Sequence, residues 1–198
     1  RDINAYTLAS AVDQAGGEAV FYGIIPDTHE AMYAAASRAQ QECDLAVVTA
    51  GSSASTRDLT SEILDQLGEP GVLVHGVNTR PGKPTILAVC DGTPMIGLPG
   101  NPVSALVNTY LFVDPVIRTL LGETQPRPRA VLKARLSLNL ASSAGREDWV
   151  PVRLLLDQGE YQAEPIFGKS NLIFTLAHAD GLLKIPADAT GLSVGEMA

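Results

Sequence analysis

The chain has 198 residues, of which 45% are hydrophobic and 18% are charged, and its formal net charge is -8 at pH 7. This composition is typical of a globular protein with a sizeable core, and the length suits one ordinary domain with a small second one. No apolar run approaches the ~20 residues that a membrane-spanning helix needs, and the acidic balance argues against a nucleic-acid-binding surface. We therefore expect neither a membrane nor a nucleic acid as partner.

The two cysteines, Cys43 and Cys90, are too few and too far apart for a disulfide framework or a zinc motif. We expect both to be buried free thiols. No secretory signal opens the chain, which predicts a cytoplasmic protein. The sequence starts at Arg1 inside what reads as the entry to a helix, so a truncated N-terminus is expected.

Helices and short strands alternate through the first two thirds of the chain. Asp2 is placed to cap a first helix that Gly16-Gly17 would end, and Asp27 with Glu30 forms a capping-box pattern before a second helix. That helix is predicted to run to about residue 41. The other predicted elements are strands at 19–25, 45–50, 73–77, 85–89 and 95–98, and helices at 59–67 and 103–121.

This alternation predicts a layered α/β domain, and Asp91-Gly92 predicts a tight hairpin that makes one edge of its sheet antiparallel. Two prolines and two arginines in 125–129 indicate a linker. We therefore place an α/β domain at 1–124 and a small, mostly β domain at 130–198. The strands predicted in the second domain are 131–140, 149–156, 161–166 and a short run near 182–185.

Three loops are candidates for chemistry, because ligands of layered α/β domains gather where strands end and helices begin. The first loop runs from Thr49 to Asp58, after a buried strand. Its small and hydroxylated residues can bring backbone N–H groups and side-chain donors to an anion, and Asp58 could ligate a cation. The alternative is an ordinary turn with Asp58 as the N-cap of the next helix. The candidates here are Gly51, Ser52, Ser53, Ser55, Thr56 and Asp58.

The second loop, at 80–84, sets Arg80 and Lys83 in a turn stiffened by two prolines. Such a turn could aim both cations at one oxyanion, or could be a solvated turn between strands. The third loop, at 98–102, connects a strand to the longest predicted helix, whose first N–H groups lack partners within the helix. It could bind an anion or a ring carbonyl, or could only connect the two elements. Its candidates are Pro99, Gly100, Asn101, Pro102 and Ser104.

Four segments together resemble the molybdopterin molybdenumtransferase family, which includes gephyrin. They are RDINAYTL at 1–8, GGE followed by GIIPD at 16–27, RPGKP at 80–84 and LPGNPVSA at 98–105, and their order and spacing are also similar. The resemblance covers about the whole chain. It implies a three-layer α/β/α molybdopterin-binding domain with a mostly parallel sheet, followed by a small barrel-like β domain.

The resemblance implies that molybdenum from molybdate is inserted into adenylated molybdopterin, with release of AMP, by a homodimer. Asp58, Lys83 and Arg80 would be the catalytic residues, and Asp2 and Asp58 would hold a divalent cation, Mg²⁺. The residues implied to bind the pterin or its phosphate are Asp2, Gly51, Ser52, Ser53, Ser55, Thr56, Pro99, Gly100, Asn101, Pro102 and Ser104.

Two departures from the family leave alternatives open. The family's first loop reads like GGVSVGDYD, whereas residues 50–58 read AGSSASTRD and, with Leu59-Thr60, resemble the related molybdopterin adenylyltransferases. The family also has two domains, and a first strand with a Thr-Gly-Asp-Glu-like element, before the position of Arg1. Adenylyl transfer and a non-catalytic pterin-binding module are therefore alternatives. A related CinA-type domain is a further one, but it typically has LPGVP in place of LPGNP.

Overall fold

A computed structural model describes residues 2–50, 54–125, 130–168 and 173–198 of the chain. The chain divides into two compact units, the first made of residues 1–77 and 82–126 and the second of residues 78–81 and 127–198. The division near residue 126 falls within the segment predicted as a linker. The short excursion of 78–81 into the second unit has no counterpart in the predicted domain boundaries.

The first unit contains a four-stranded sheet and two groups of helices. Its strands are β1 (Ala46–Ala50), β2 (Pro70–His75), β4 (Ile86–Cys90) and β5 (Thr93–Pro99). Its helices are α1 (Ile3–Ala15), α2 (His29–Glu42), α3 (Ala54–Gln66), α4 (Pro102–Asn108) and α5 (Asp114–Leu120), and a π-helical turn, Thr109–Val113, joins the last two. Within the described residues, no helix is long and apolar enough to cross a membrane.

The sheet of the first unit has the strand order β1-β5-β4-β2. β1 and β5 are parallel, whereas β5 with β4 and β4 with β2 are antiparallel. The predicted hairpin is confirmed, since Asp91 and Gly92 have φ values of 49° and 91° between β4 and β5. The prediction of a mostly parallel sheet is wrong for the described strands. Residues 76–85 join β2 to β4 and residues 91–92 join β4 to β5, and neither connection contains the helical crossover of about a dozen or more residues that parallel neighbours usually need.

Helices cover both faces of this sheet, which confirms the predicted three layers. Alternate residues of β5 point to opposite faces, so that Met95 packs with α2 and α3 while Ile96 packs with α1, α4 and α5. On the first face the helices contribute Ala36, Ala39, Ile63 and Leu64, and on the second they contribute Leu8, Ala15, Ala105 and Ile117. The α/β class predicted from the alternating elements is therefore correct.

Three local predictions for the first unit need correction. Residues 19–25 form no strand, because β1 pairs only with β5 in the described chain and offers 19–25 no hydrogen-bonded neighbour. The N-cap of α2 is Thr28 rather than Asp27, and its hydroxyl accepts a hydrogen bond from the N–H of Ala31. α3 begins at Ala54, about five residues before the predicted start. The first helix is as predicted, with Asp2 as its N-cap and Gly16 as its C-cap.

The second unit is mostly β. Its strands are β3 (Thr79–Arg80), β6 (Arg135–Leu136), β7 (Leu140–Ala141), β8 (Glu147–Asp157), β9 (Glu160–Pro165), β10 (Gly181–Ile185) and β11 (Gly191–Leu192), and α6 (Phe174–Ala177) is its short helix. β10, β8, β9 and β6 form one sheet, to which β3 adds by pairing with β8. Its core contains Leu136, Val152, Ala163, Leu183 and Ile185. The predicted small β domain is confirmed, although the strand predicted at 131–140 is reduced to two short pieces.

Candidate functional site

The first and third candidate loops start side by side. β1 and β5 are parallel neighbours, and Ala50 at the end of β1 is in register with Pro99 at the end of β5. Because both strands end at the same edge of the sheet, the segments that follow them leave from adjacent positions. The sequence could not show this, since 49 residues separate the two positions along the chain.

The third loop is a two-residue connection. Pro99 ends β5 and Pro102 opens α4, so only Gly100 and Asn101 lie between them. Asn101 occupies the N-cap position, but its side chain makes no capping hydrogen bond. The first N–H groups of the helix therefore lack the side-chain acceptor that usually satisfies one of them. Ser104 is buried in the first turns of this helix.

One hydrogen bond connects the start of the chain to this region, and a second caps the helix there. The carboxylate of Asp2 accepts a bond of 3.0 Å from the N–H of Ala5, which commits one of its oxygens to capping α1. The side-chain Nδ2 of Asn4 donates to the carbonyl of Gly100 at 2.9 Å. Asn4 is 8% exposed, and its buried Oδ1 has no hydrogen-bond partner among the residues that the structure describes. Asn4 thus anchors the third loop on α1, although the sequence did not single it out.

The first loop lies only partly within the described residues. Gly51, Ser52 and Ser53 are outside them, as are the side chains of Ser55 and Thr56, whose backbone belongs to α3. Asp58 is the fifth residue of α3 and is exposed. It is therefore neither in a loop nor at an N-cap, so both predicted settings for Asp58 are wrong. The polar residues Ser55, Thr56 and Arg57 concealed the start of the helix.

The second loop is divided between the two units. Arg80 belongs to the second unit and Lys83 to the first, and both side chains are exposed. Within the first unit, the N–H of Val77 donates to the carbonyl of Lys83 at 2.8 Å. The buried Thr85 donates twice to the carbonyl of Gly82, through its hydroxyl at 2.8 Å and its N–H at 3.1 Å. These three hydrogen bonds thus fix the turn that carries Lys83.

Arg80 takes part in a charge cluster that the sequence did not reveal. Asp148 is 3% exposed, and its carboxylate accepts hydrogen bonds from Arg146 Nε at 2.9 Å and Arg80 Nη1 at 3.5 Å. Two guanidinium groups share one carboxylate, so the three side chains carry a net positive charge. The charged run 146–148 before Trp149 was visible in the sequence, but its distant partner Arg80 was not.

A second polar cluster lies on the first unit, away from the candidate loops. Glu42 accepts hydrogen bonds from Arg38 Nε at 2.9 Å and from the hydroxyl of Tyr22 at 2.7 Å. The hydrogen bond from Arg38 is the main reason that the pKa of Glu42 is lowered, and the hydrogen bond to Glu42 raises the pKa of Tyr22. This cluster fastens the segment around Tyr22 to the end of α2.

The first unit also contains a cavity of about 950 Å³ beside β1. Residues 17–25, α1, α2 and β1 supply most of its lining. Of the candidate residues that the structure describes, Asp2 alone lines it. The candidate loops and this cavity are therefore largely separate features of the unit.

Comparison with known proteins assigns both parts of the chain. Residues 1–119 match the model of a family described as the probable molybdopterin binding domain, and residues 133–198 match that of the MoeA C-terminal region, domain IV. A molybdopterin molybdenumtransferase of Nostoc is 33% identical over 98% of this chain and 46% of its own length. Molybdopterin molybdenumtransferase 1 of Mycobacterium tuberculosis is 31% identical over 99% of this chain and 47% of its own length.

Among solved structures, the molybdopterin biosynthesis MoeA protein from Pyrococcus horikoshii is similar, with a TM-score of 0.81 and 35% identity. The match covers 99% of this chain and 46% of that one. The chain thus spans about half the length of the relatives that it matches. With its α/β unit matched over residues 1–119 and a MoeA C-terminal region behind it, the chain belongs to the molybdopterin-binding-domain family in its MoeA-type arrangement.

Proposed function

We propose that the protein containing this chain inserts molybdenum from molybdate into adenylated molybdopterin. Water cleaves the adenylate's phosphoanhydride bond with release of AMP, and the two dithiolene sulfurs bind Mo(VI) in place of molybdate oxygen, which leaves as water with the thiol protons. The observation that carries the proposal is the register of Ala50 with Pro99, which starts two of the candidate loops at adjacent positions on one sheet edge. The names of the relatives support the same reaction.

The candidate residues divide the work according to their chemistry. The uncapped start of α4, with Gly100 and Asn101 before it, suits an anion or a ring carbonyl, because N–H groups converge there. Lys83, exposed on a fixed turn, suits the charge of molybdate or of a phosphate group. Arg80, which shares the carboxylate of Asp148 with Arg146, adds positive charge in the second unit.

Mg²⁺ fits the donor chemistry of Asp58. Its carboxylate is exposed, and Mg²⁺ is commonly held by one or two carboxylates together with phosphate oxygens of the substrate. In the described part of the chain, no three His, Cys, Asp or Glu side chains form a group that could hold a metal ion. The substrate would therefore supply further ligands, and the cation would offset the charge of the phosphate groups.

Adenylyl transfer, the alternative suggested by residues 55–60, is not favoured. The structure places Asp58, Leu59 and Thr60 inside α3, with Thr60 only 1% exposed, rather than in a loop open to a phosphate. The relatives named above are molybdenumtransferases. The homodimer implied by the resemblance and the cytoplasmic location predicted from the lack of a secretory signal stay predictions, and analytical ultracentrifugation of the intact protein would test the first.

The direct test is to mix the intact protein with adenylated molybdopterin, Mg²⁺ and molybdate and to measure AMP. We expect AMP release that depends on both protein and molybdate. Release no faster than in a protein-free control would refute the proposed reaction.

Asp58→Asn tests the Mg²⁺ site, with Glu62→Gln as a matched control. Both changes remove one negative charge from exposed positions of α3, one turn apart. We expect Asp58→Asn alone to raise the Mg²⁺ concentration needed for half-maximal AMP release. Equal Mg²⁺ dependence in the two variants would contradict the assignment of Asp58.

A further inference from the structure

Asn108 lies at the end of the helix that follows the third loop, and it is fully buried. Its Nδ2 donates to the carbonyl of Ser104 at 2.7 Å. The π-helical turn Thr109–Val113 begins at the next residue. Such π-turns are rare and occur frequently at functional sites. Burying a side-chain amide at this position costs free energy of folding unless its polar atoms contact hydrogen-bonding groups.

The same side chain lies against the turn of the second loop. Gly82 has a φ of 115°, in the left-handed region, and a methyl group built on it would overlap the side-chain nitrogen of Asn108. Gly82 is therefore constrained twice, by its backbone conformation and by the closeness of Asn108. The carbonyl of Gly82 is held in turn by the hydroxyl and N–H of Thr85.

Asn108 thus connects two of the segments on which the family resemblance rests. On one side it bonds to Ser104, in the helix opened by LPGNP. On the other side it packs against Gly82, the residue directly before Lys83. The ammonium group of Lys83 is at the end of a flexible side chain. The region that this group can reach therefore depends on the position of the turn that carries Lys83.

We propose that Asn108 is a positioning residue that holds the Lys83 turn in place relative to the loop at residues 98–102. It acts through Lys83 and the turn, and does not itself touch the substrate. This inference rests on the proposed function for its kinetic consequence, but the ordering of the turn can be measured without any substrate.

A double-mutant cycle in the intact protein separates positioning from general stability. Asn108→Ala should lower kcat/KM for AMP release by about 10- to 100-fold, the range expected when a reacting group is misplaced. Lys83→Met removes the ammonium and should lower kcat/KM on its own. In the Lys83→Met background, Asn108→Ala should have little further effect.

Thr109→Val is the matched control. Thr109 is as buried as Asn108, is next to it in the helix, and also donates to a backbone carbonyl one turn earlier, at 2.8 Å. We expect Thr109→Val to leave kcat/KM of the folded protein unchanged. An equal loss in Thr109→Val, or a full additional loss from Asn108→Ala in the Lys83→Met background, would overturn the proposal.

Hydrogen exchange gives a readout that does not depend on the reaction. The amides of Val77 and Thr85, which close the turn, should exchange faster in Asn108→Ala than in Thr109→Val. Unchanged exchange at both amides would overturn the positioning role even if AMP release is observed. If the protein without substitutions releases no AMP, the proposed reaction is refuted. The hydrogen-exchange rates of Asn108→Ala and Thr109→Val still decide whether Asn108 holds the turn.

Discussion

The side chain of Asn4 donates a hydrogen bond of 2.9 Å to the carbonyl of Gly100, 96 residues further along the chain. This bond joins the first turn of α1 to the two-residue loop between β5 and α4. The loop is short and bordered by two prolines, so a single fixed carbonyl strongly limits its freedom. α1 therefore contributes to the candidate site although its own predicted ligand, Asp2, is engaged as a helix cap.

Replacing Asn4 by Ala should lower the free energy of unfolding by about 1 kcal/mol, the usual net value of one partly buried hydrogen bond. Thr7→Ala is the control on the same helix, because the described hydrogen bonds of the Thr7 side chain go to the carbonyls of Ile3 and Asn4 in its own helix. We expect Thr7→Ala to have almost no effect in urea unfolding followed by circular dichroism. Equal effects of the two substitutions would show that the bond to Gly100 contributes nothing.

Gly82→Ala should be much more destabilising than Gly92→Ala. Both glycines have positive φ values, 115° and 91°, so both substitutions strain the backbone by about 1 kcal/mol. A methyl group at Gly92 would have open space, whereas one at Gly82 would overlap Asn108. The difference between the two variants in thermal unfolding therefore isolates the steric contact. If the two melting temperatures fall equally, Asn108 and Gly82 are not packed as described.

The contacts of Asp148 predict which of its two arginine partners contributes more to the stability of the second unit. Arg146→Ala removes the shorter bond to a buried carboxylate and should cost about 2 to 3 kcal/mol. Arg80→Ala removes a bond of 3.5 Å from a side chain that is 61% exposed, and should cost less than about 1 kcal/mol. Trp149, the only tryptophan, lies in β8 of the second unit, so its fluorescence reports the unfolding of that unit. The reverse order would refute this description.

Some signals confined to a few neighbouring residues were interpreted correctly from the sequence, whereas the capping box predicted at Asp27 was wrong. Asp2 and Gly16 mark the ends of α1, and Asp91-Gly92 forms the hairpin turn, because each acts through its own backbone conformation and nearest hydrogen bonds. Residues 19–25 show that local composition alone does not determine whether a segment forms a strand. Their apolar composition suits a strand, but a strand also needs a neighbour to pair with, and β1 provides none in the described chain.

The long-range contacts that involve the candidate loops of each unit could not be predicted for the same reason. Asn4 with Gly100, Gly82 with Asn108, and Arg80 with Asp148 are each separated by 26 residues or more along the chain. In each pair, tertiary packing determines which residue the side chain contacts. No local sequence pattern specifies that contact. The family resemblance predicts which loops form the site, but it does not predict which buried residues contact those loops.

The two cysteines should differ sharply in reactivity. Cys90 is fully buried at the end of β4, and its thiol donates to the carbonyl of Leu64 at 3.2 Å. Burial is the main reason that its pKa is raised, and the nearby Asp91 and Asp65 add to the effect. Since the thiolate is the nucleophile, both the raised pKa and the lack of access should slow its alkylation.

Iodoacetamide at pH 8, followed by mass spectrometry of the peptides, measures this difference. Cys43 is half-buried, so its peptide should be labelled well before that of Cys90. In urea the two rates should converge, because the burial that raises the pKa of Cys90 is then lost. A Cys43→Ala variant provides the control, since its one remaining thiol should stay unlabelled until the protein unfolds. Equal labelling of both cysteines in the folded protein would contradict the packing of Cys90 between β4 and α3.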